Sequence, residues 1–345
     1  MSQISVNDIS SLDGKSGPVI SGITTVSSTG YMMVPAGPTE YRGGRGRGVF
    51  GGGRTPFVSP NLVNIIDYMT IATLGDALDF GDLYQNTSEF GSCASSTRGV
   101  FMGGETFPTN INIMQYITIQ STGNSFDFGD LTLTRRSVSS LSNSTRGVCL
   151  GGNNAPGSVG YTLIDYITIA SLGNASKFGD LIGDSSYGMS HASPTRGIIA
   201  LSNSPYESPF GSFTNTIEYI TISTEGNGQD FGDLTEARKS GSSASNSTRG
   251  LFFGGNISPT VVNTIDYITI ASLGDAIDFG DCIVGSQLSS AVSTPTRIVF
   301  GDMSSDGNAL SYVTINTLGN AQDFGDLTVR RNQTAACSDS HGGLG

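Results

Sequence analysis

Two side chains of opposite charge return at fixed intervals along this chain. An arginine stands at Arg47, Arg98, Arg146, Arg196, Arg249 and Arg297, each time just ahead of a short apolar run. An aspartate stands at Asp82, Asp130, Asp180, Asp233, Asp281 and Asp326, in five copies as the last residue of a DFGD segment. Guanidinium and carboxylate groups that meet form bidentate, charge-assisted pairs. The spacing therefore predicts one ion pair per unit, among them Asp82 with Arg98, Asp130 with Arg146, and Asp233 with Arg249. Such a ring either binds a ligand or pins a scaffold. A function rarely needs six identical copies and a scaffold does, so structural pins are expected.

Other chemistry is poorly supplied. The first Asp of DFGD with the Asn or Asp of the preceding GN or GD turn raises the question of Ca²⁺. The third copy, however, carries Lys177 in place of that carboxylate, and the spacing lacks the alternation of a Ca²⁺ loop. A turn role for these Asn and Asp residues is the better reading. The four cysteines, Cys93, Cys149, Cys282 and Cys337, form no CxxC pair, and the two histidines are His191 and His341. No zinc set follows from that arrangement, and free buried thiols are expected. A Ser–His–Asp triad would need His191 or His341; the first falls in an inner strand and the second in the last five residues. The expectation is no catalytic residue, no metal and no cofactor.

The elements that hold these residues come from a cassette of about 50 residues, seen six times. One copy reads TRGLFFGG over 248–255, IDYITI over 265–270 and DFGDC over 278–282. Its tyrosine falls at Tyr68, Tyr116, Tyr166, Tyr219, Tyr267 and Tyr312, its phenylalanine at Phe80, Phe128, Phe178, Phe231, Phe279 and Phe324. Each cassette reads as four short strands: a, of small residues; b, apolar and ending in glycine; c, alternating; and d, starting at DFGD. Such a sheet cannot bury both faces alone, and radial packing of several solves this. The first unit lacks a strand a, while QTAACSDS at 333–340 is a strand a without a sheet. The ring is therefore predicted to close by uniting the two. The fold class expected is all-β: a six-bladed propeller of four-stranded antiparallel blades over residues 47–345, closed by a C-terminal strand. Residues 1–46 lie outside the repeat, and the alternation over 16–37 predicts an extended arm or hairpin.

The net charge of −12 over 345 residues argues against nucleic acid and anionic membrane as partners. No apolar run approaches 18 residues and MSQISVNDIS lacks the marks of a signal peptide, so synthesis in a cytoplasm without membrane insertion is expected. The connectors between strands b and c differ in length and concentrate aromatics. Phe57, Phe107, Tyr161, Tyr206, Phe210 and Phe213 are the candidate binding residues, on a face opposite the Arg-bearing turns.

VFGG, IDYITI and DFGDL resemble the kelch repeat, with Phe where that family usually has Trp; this chain has no Trp. The resemblance covers about residue 48 onward and implies a propeller. IDYITIASLGNA, DFGDL and GRGVFGGG, together with the N-terminal segment, are also similar to kelch-type structural proteins of tailed bacteriophages, especially cyanophages. That resemblance implies a non-enzymatic virion component of tail, fibre or baseplate, docked by its arm, with other virion proteins, a homo-oligomeric copy or a host-surface receptor as partners. A cellular kelch-type interaction module and a glycan-active propeller enzyme are the alternative readings.

Overall fold

The computed structural model describes residues 19–20, 24–26, 32–33, 46–56, 61–154, 160–202, 213–301 and 307–345. The chain divides into Met1–Arg42 and Gly43–Gly345. In the first unit Val19–Ile20, Thr24–Val26 and Met32–Met33 pair as a small antiparallel sheet.

The second unit is a ring of six four-stranded antiparallel blades. Blade 1 has strands a to d at Ala335–Ser338, Arg47–Gly51, Ile65–Thr70 and Leu78–Asp82. Blade 2 has Gly91–Ala94, Arg98–Met102, Ile113–Thr118 and Phe126–Asp130; blade 3 has Ser139–Ser142, Arg146–Leu150, Tyr161–Thr168 and Ser176–Ser185. Blade 4 has Met189–Ala192, Arg196–Ala200, Thr216–Thr221 and Gln229–Asp233; blade 5 has Ser242–Ser245, Arg249–Ile257, Thr260–Thr269 and Ile277–Asp281. Blade 6 has Ala291–Ser293, Arg297–Gly301, Ala309–Thr314 and Gln322–Asp326. The closing strand pairs Cys337 with Val49, so one blade is built from residues almost 290 positions apart.

The core lies between blades. Phe80 of blade 1, 2% exposed, packs with Phe101 and Ile117 of blade 2, and the other DFGD phenylalanines repeat this. Strand a is small for two reasons. It has least room, and its serine hydroxyls stitch each inner strand to the one before: Ser140 Oγ to Ser92 O (2.7 Å), Ser190 Oγ to Ser140 O (2.9 Å), Ser293 Oγ to Ser245 O (2.8 Å) and Ser338 Oγ to Ser293 O (2.8 Å). The Gly after each strand-b Arg makes room for the third residue of the preceding strand a. A Cβ on Gly147 would lie 2.4 Å from Cys93 Sγ, and one on Gly99 2.8 Å from Cys337 Sγ. Where blade 6 has Ile298 instead, the residue that packs with it is Ala244. All four cysteines are buried thiols.

The expected pairs of Asp82 with Arg98, Asp130 with Arg146, and Asp233 with Arg249 do not form. Register is the reason. In blade 1 Arg47 pairs with Thr70 at one end of strand c, whereas Asp82 pairs with Ile65 at the other. Five residues at about 3.3 Å each separate the two charges. Each arginine instead lies over the tyrosine of its own blade, with guanidinium-to-ring distances of 4.3–4.7 Å. Each also donates to a carbonyl of the next blade: Arg47 to Ile119, Arg98 to Ile169, Arg146 to Ile222, Arg196 to Ile270, Arg249 to Ile315 and Arg297 to Ile71, at 2.7–3.0 Å. The arginines do pin the scaffold, through different partners. Arg249→Ala should lose one cation–π contact and one carbonyl bond, about 1–2 kcal/mol of stability; equal urea midpoints for variant and wild type would remove the arginines from the set of pins.

The GN and GD turns form a further ladder. Gly123 N donates to Phe80 O (2.7 Å), Ser125 N to Asp82 O (2.8 Å), and Asn124 Oδ1 accepts from Asp82 N (3.0 Å). The turn of one blade thus covers the open edge of the preceding strand d, and the same three bonds recur at Asn174, Asn227, Asp275, Asn320 and Asp76. That explains the Asn and Asp, and it removes the free edges that invite aggregation.

Superimposed on the sixfold repeat is a threefold one. The motif DLTxxR follows strand d in blades 2, 4 and 6 only. Its arginines, Arg135, Arg238 and Arg331, are 0–1% exposed and pair with Asp165, Asp266 and Asp67 of the following blade at 2.9–3.0 Å. Thr132, Thr235 and Thr328 donate their hydroxyls to the same carboxylates. In the intervening blades strand c has Gln115, Glu218 and Ser311 instead. Gln115 Oε1 takes the Tyr84 N–H at 2.8 Å, and Glu218 takes the N–H groups of Ile182 and Gly183. Burial, with no arginine beside it, pushes the Glu218 carboxyl above its usual range.

Candidate functional site

Length variation is confined to one face of the ring. The c–d connectors, 71–77, 119–125, 169–175, 222–228, 270–276 and 315–321, are all seven residues long. The a–b turns, 95–97, 143–145, 193–195, 246–248 and 294–296, are all three. The b–c connectors run from two residues (258–259) to fifteen (201–215), and in blade 5 the two strands continue into a hairpin with Ile257 opposite Thr260. Of the six aromatics expected on this face, Phe57, Tyr206 and Phe210 lie outside the described residues. Phe107 is 64% exposed on the connector of blade 2. Tyr161 is half-buried at the start of strand c in blade 3, its N–H bonded to Gly152 O at 2.7 Å. Phe213, on the connector of blade 4, is half-buried under Lys239 Nζ, 5.1 Å from its ring centre. These three therefore stand on separate blades rather than forming one cluster.

A more organised constellation surrounds the axis on the same face. Glu89, Ser137, Tyr187, Ser240, Leu288 and Gln333 each lie nine residues after the DFGD phenylalanine of one blade, all with φ between 54° and 61°. This left-handed region costs a side-chain-bearing residue about 1–2 kcal/mol. A closed ring of backbone bonds holds all six there: each N–H donates to the carbonyl of the preceding member, Ser137 to Glu89, Tyr187 to Ser137, Ser240 to Tyr187, Leu288 to Ser240, Gln333 to Leu288 and Glu89 to Gln333, at 2.6–3.2 Å. Glycine would sit in this ring without strain, so six side chains maintained at that cost mark the mouth as a place where side chains matter. The residue type differs almost everywhere around the ring.

Glu89 organises the mouth. Its carboxylate accepts from Ser137 Oγ (2.6 Å), Tyr187 Oη (2.8 Å) and Gln333 Nε2 (3.0 Å). Arg136 Nε lies 3.6 Å away, and Arg136 also pairs with Glu105, which Arg54 meets at 3.3 Å. Burial and the Glu89 charge push the Tyr187 phenol well above its usual range, so it stays a donor. Burial lowers the Arg136 pKa, but Glu89 and Glu105 outweigh that and the net shift is upward. The carboxylate is thus engaged by three donors.

The axis is filled at the other face. Asp339 accepts from Arg47 N and Gln120 Nε2, both at 2.9 Å, and the following Gly342–Leu344 forms a 3₁₀ turn against the inner strands. A Cβ on Gly343 would lie 1.8 Å from Ser142 O, which leaves space only for glycine. His341 caps this turn: Nε2 donates to Ala94 O (2.8 Å) and Nδ1 accepts from Gly343 N (3.2 Å). His191 is a wall residue. It packs 4.9 Å from the Phe252 ring, in the space that a Cβ on Gly250 would claim.

Burial lowers the His191 pKa to about 3. The unfolded imidazole titrates near 6.5, and each pH unit between the two values is worth about 1.4 kcal/mol. Between these values the unfolded chain holds the proton and the folded chain does not. This contribution to stability is therefore complete above about pH 6.5 and is lost as pH falls toward 3. His191→Leu, the residue found at the equivalent Leu141 of blade 3, should gain roughly 2–3 kcal/mol on wild type between pH 7 and 4.5. A urea-midpoint difference independent of pH would show that the imidazole is not held neutral.

The aromatic loops are legible in the sequence, whereas the mouth residues escape a search for motifs. Their only signal is a fixed offset of nine residues from the phenylalanine of each copy, in a segment that itself differs from copy to copy; the position runs Glu, Ser, Tyr, Ser, Leu, Gln. No family model matches this chain, and no curated protein matches it. No helix among the described residues is long and apolar enough to cross a membrane.

Proposed function

We propose that this chain is a non-enzymatic structural component of a virus particle, of the tailed-bacteriophage kind that its kelch-like repeat resembles, and that it presents its variable face to a protein or host-surface partner. The observation that carries the reading is the length variation of the b–c connectors, beside a mouth of six side chains of five types, on a ring whose a–b and c–d turns are uniform. Binding faces are built in this way, as variable loops on a rigid support. The resemblance of GRGVFGGG, IDYITI and DFGDL to phage kelch-type proteins supplies the setting. Residues 1–42, a separate unit with strands of only two or three residues, suit the anchoring role, since so small a sheet is stabilised by pairing with a larger surface.

The test has two arms. Purified particles from the source should contain the chain by mass spectrometry, and a version beginning near Gly46 should fold but be absent from them. Glu89→Gln with Phe107→Ser should leave incorporation intact and weaken adsorption of the particle to its host. Particles without the chain would end the virion reading in favour of a cellular interaction module.

A further inference from the structure

The threefold pattern reaches the outer wall. Two residues past the FGD segment, one backbone N–H in each of blades 1, 2, 3, 4 and 6 bonds to a strand-c side chain of the next blade: Thr132 to Asp165, Thr235 to Asp266, Thr328 to Asp67, Tyr84 to Gln115 and Ile182 to Glu218. The N–H is thus placed alike in these five blades, although strand d of blade 3 runs on to Ser185, and the side chains differ. After blades 2, 4 and 6 it is threonine, whose hydroxyl is turned onto the next blade's aspartate. After blades 1, 3 and 5 it is Tyr84, Ile182 and Ile283, which are 73%, 65% and 52% exposed. The same blades carry Leu74, Leu172 and Leu273 on their c–d connectors, 57–58% exposed; blade 6 adds Leu318, while blades 2 and 4 have Thr122 and Glu225 there. Tyr84, Ile182 and Ile283, in register on every second blade, stand apart from the scattered apolar surface common to monomers, to which Phe126 and Leu318 belong.

Charge narrows the occupant. Each of the three residues stands two positions after a carboxylate, Asp82, Asp281 or Asp180, the last paired with Lys177 at 2.8 Å, on a chain of net charge −12. A second copy would bring like charges together, so the wall calls for a basic partner. We propose that blades 1, 3 and 5 dock on a threefold-symmetric protein, each subunit of which offers an apolar socket for one of Tyr84, Ile182 and Ile283 with a lysine or arginine beside it. The inference rests on the reading of this chain as a particle component. A rigid ring presenting three equivalent contacts about 120° apart gains avidity only from a partner whose sockets have the same spacing.

The test places the photo-crosslinking residue p-benzoylphenylalanine at position 84, 182 or 283 in turn, in the full chain assembled into particles. The expected result is one and the same peptide of one protein joined at all three positions, with that protein trimeric when purified alone. The variant Tyr84→Thr/Ile182→Thr/Ile283→Thr, which has the residue of the other three blades, should melt like wild type and lose incorporation on the order of a hundredfold. Different proteins or peptides at the three positions, adducts with a second copy of the chain, or unchanged incorporation of the triple variant would overturn the inference while leaving the particle reading in place. Wild-type particles that lack the chain would overturn both.

Discussion

Asp165→Ala is expected to destabilise the propeller by about 3–5 kcal/mol, the range for breaking a buried ion pair from one side. Arg135 and Asp165 both have side chains at 0% exposure, with Nη2 to Oδ2 at 2.9 Å. Removing the carboxylate leaves a guanidinium that burial cannot tolerate, although Nη1 keeps its bonds to Gly151 O (2.8 Å) and Leu163 O (3.0 Å). Thr132 loses its acceptor at the same time, so the strand-d exit of blade 2 loosens from blade 3. Arg135→Met in the Asp165→Ala background should recover most of the loss, because an apolar pair leaves no buried charge. Urea titrations of the two single variants and the double variant decide the matter. A double variant worse than Asp165→Ala would show that Arg135 matters chiefly through its carbonyl bonds.

Removal of residues 335–345 should abolish the cooperative melting transition or lower it by at least about 10 °C, taking roughly 2–4 °C per kcal/mol. That segment supplies the inner strand of blade 1, the Asp339 acceptor for Arg47 N and Gln120, and the hydroxyl stitch from Ser338 to blade 6. Val49 and Phe50, both at 0% exposure, would meet water along an unpaired strand b. A synthetic peptide of residues 333–345 added in trans should restore part of the transition. A truncated chain with an unchanged calorimetric trace would mean that five complete blades hold the ring without the sixth.

The architecture was readable because its cause is local and repeated. DFGD phenylalanines at regular intervals require a gap to fill six times, and an inner strand at 333–340 with no sheet of its own requires the sheet that lacks one. The arginine partners were misread because residue spacing along the chain says nothing about which end of a strand a side chain occupies. Asp82 is close to Arg98 in number and at the opposite end of the blade in space. The buried clamps were missed for another reason. Six copies invite a search for what is common to six, and DLTxxR is common to three. The mouth was hidden because its unity lies in a backbone conformation, φ near 57°, and the side chains at Glu89, Tyr187 and Leu288 share nothing.

The pairing of Cys337 with Val49 has a consequence for the order of events during synthesis. Strand b of blade 1 is among the first of the ring to be made, yet the strand that covers its inner edge is completed only after residue 338. For nearly 290 residues of elongation, tens of seconds at about 5–20 residues per second, the nascent ring is an open arc with an uncovered edge. Later blades can each form on the one before, but the final step is a contact between distant segments, which makes it slow. Chain arrest before residue 338 would therefore yield arcs able to pair edge to edge with one another, and the interval before closure is when this protein most needs to be kept apart from its own copies.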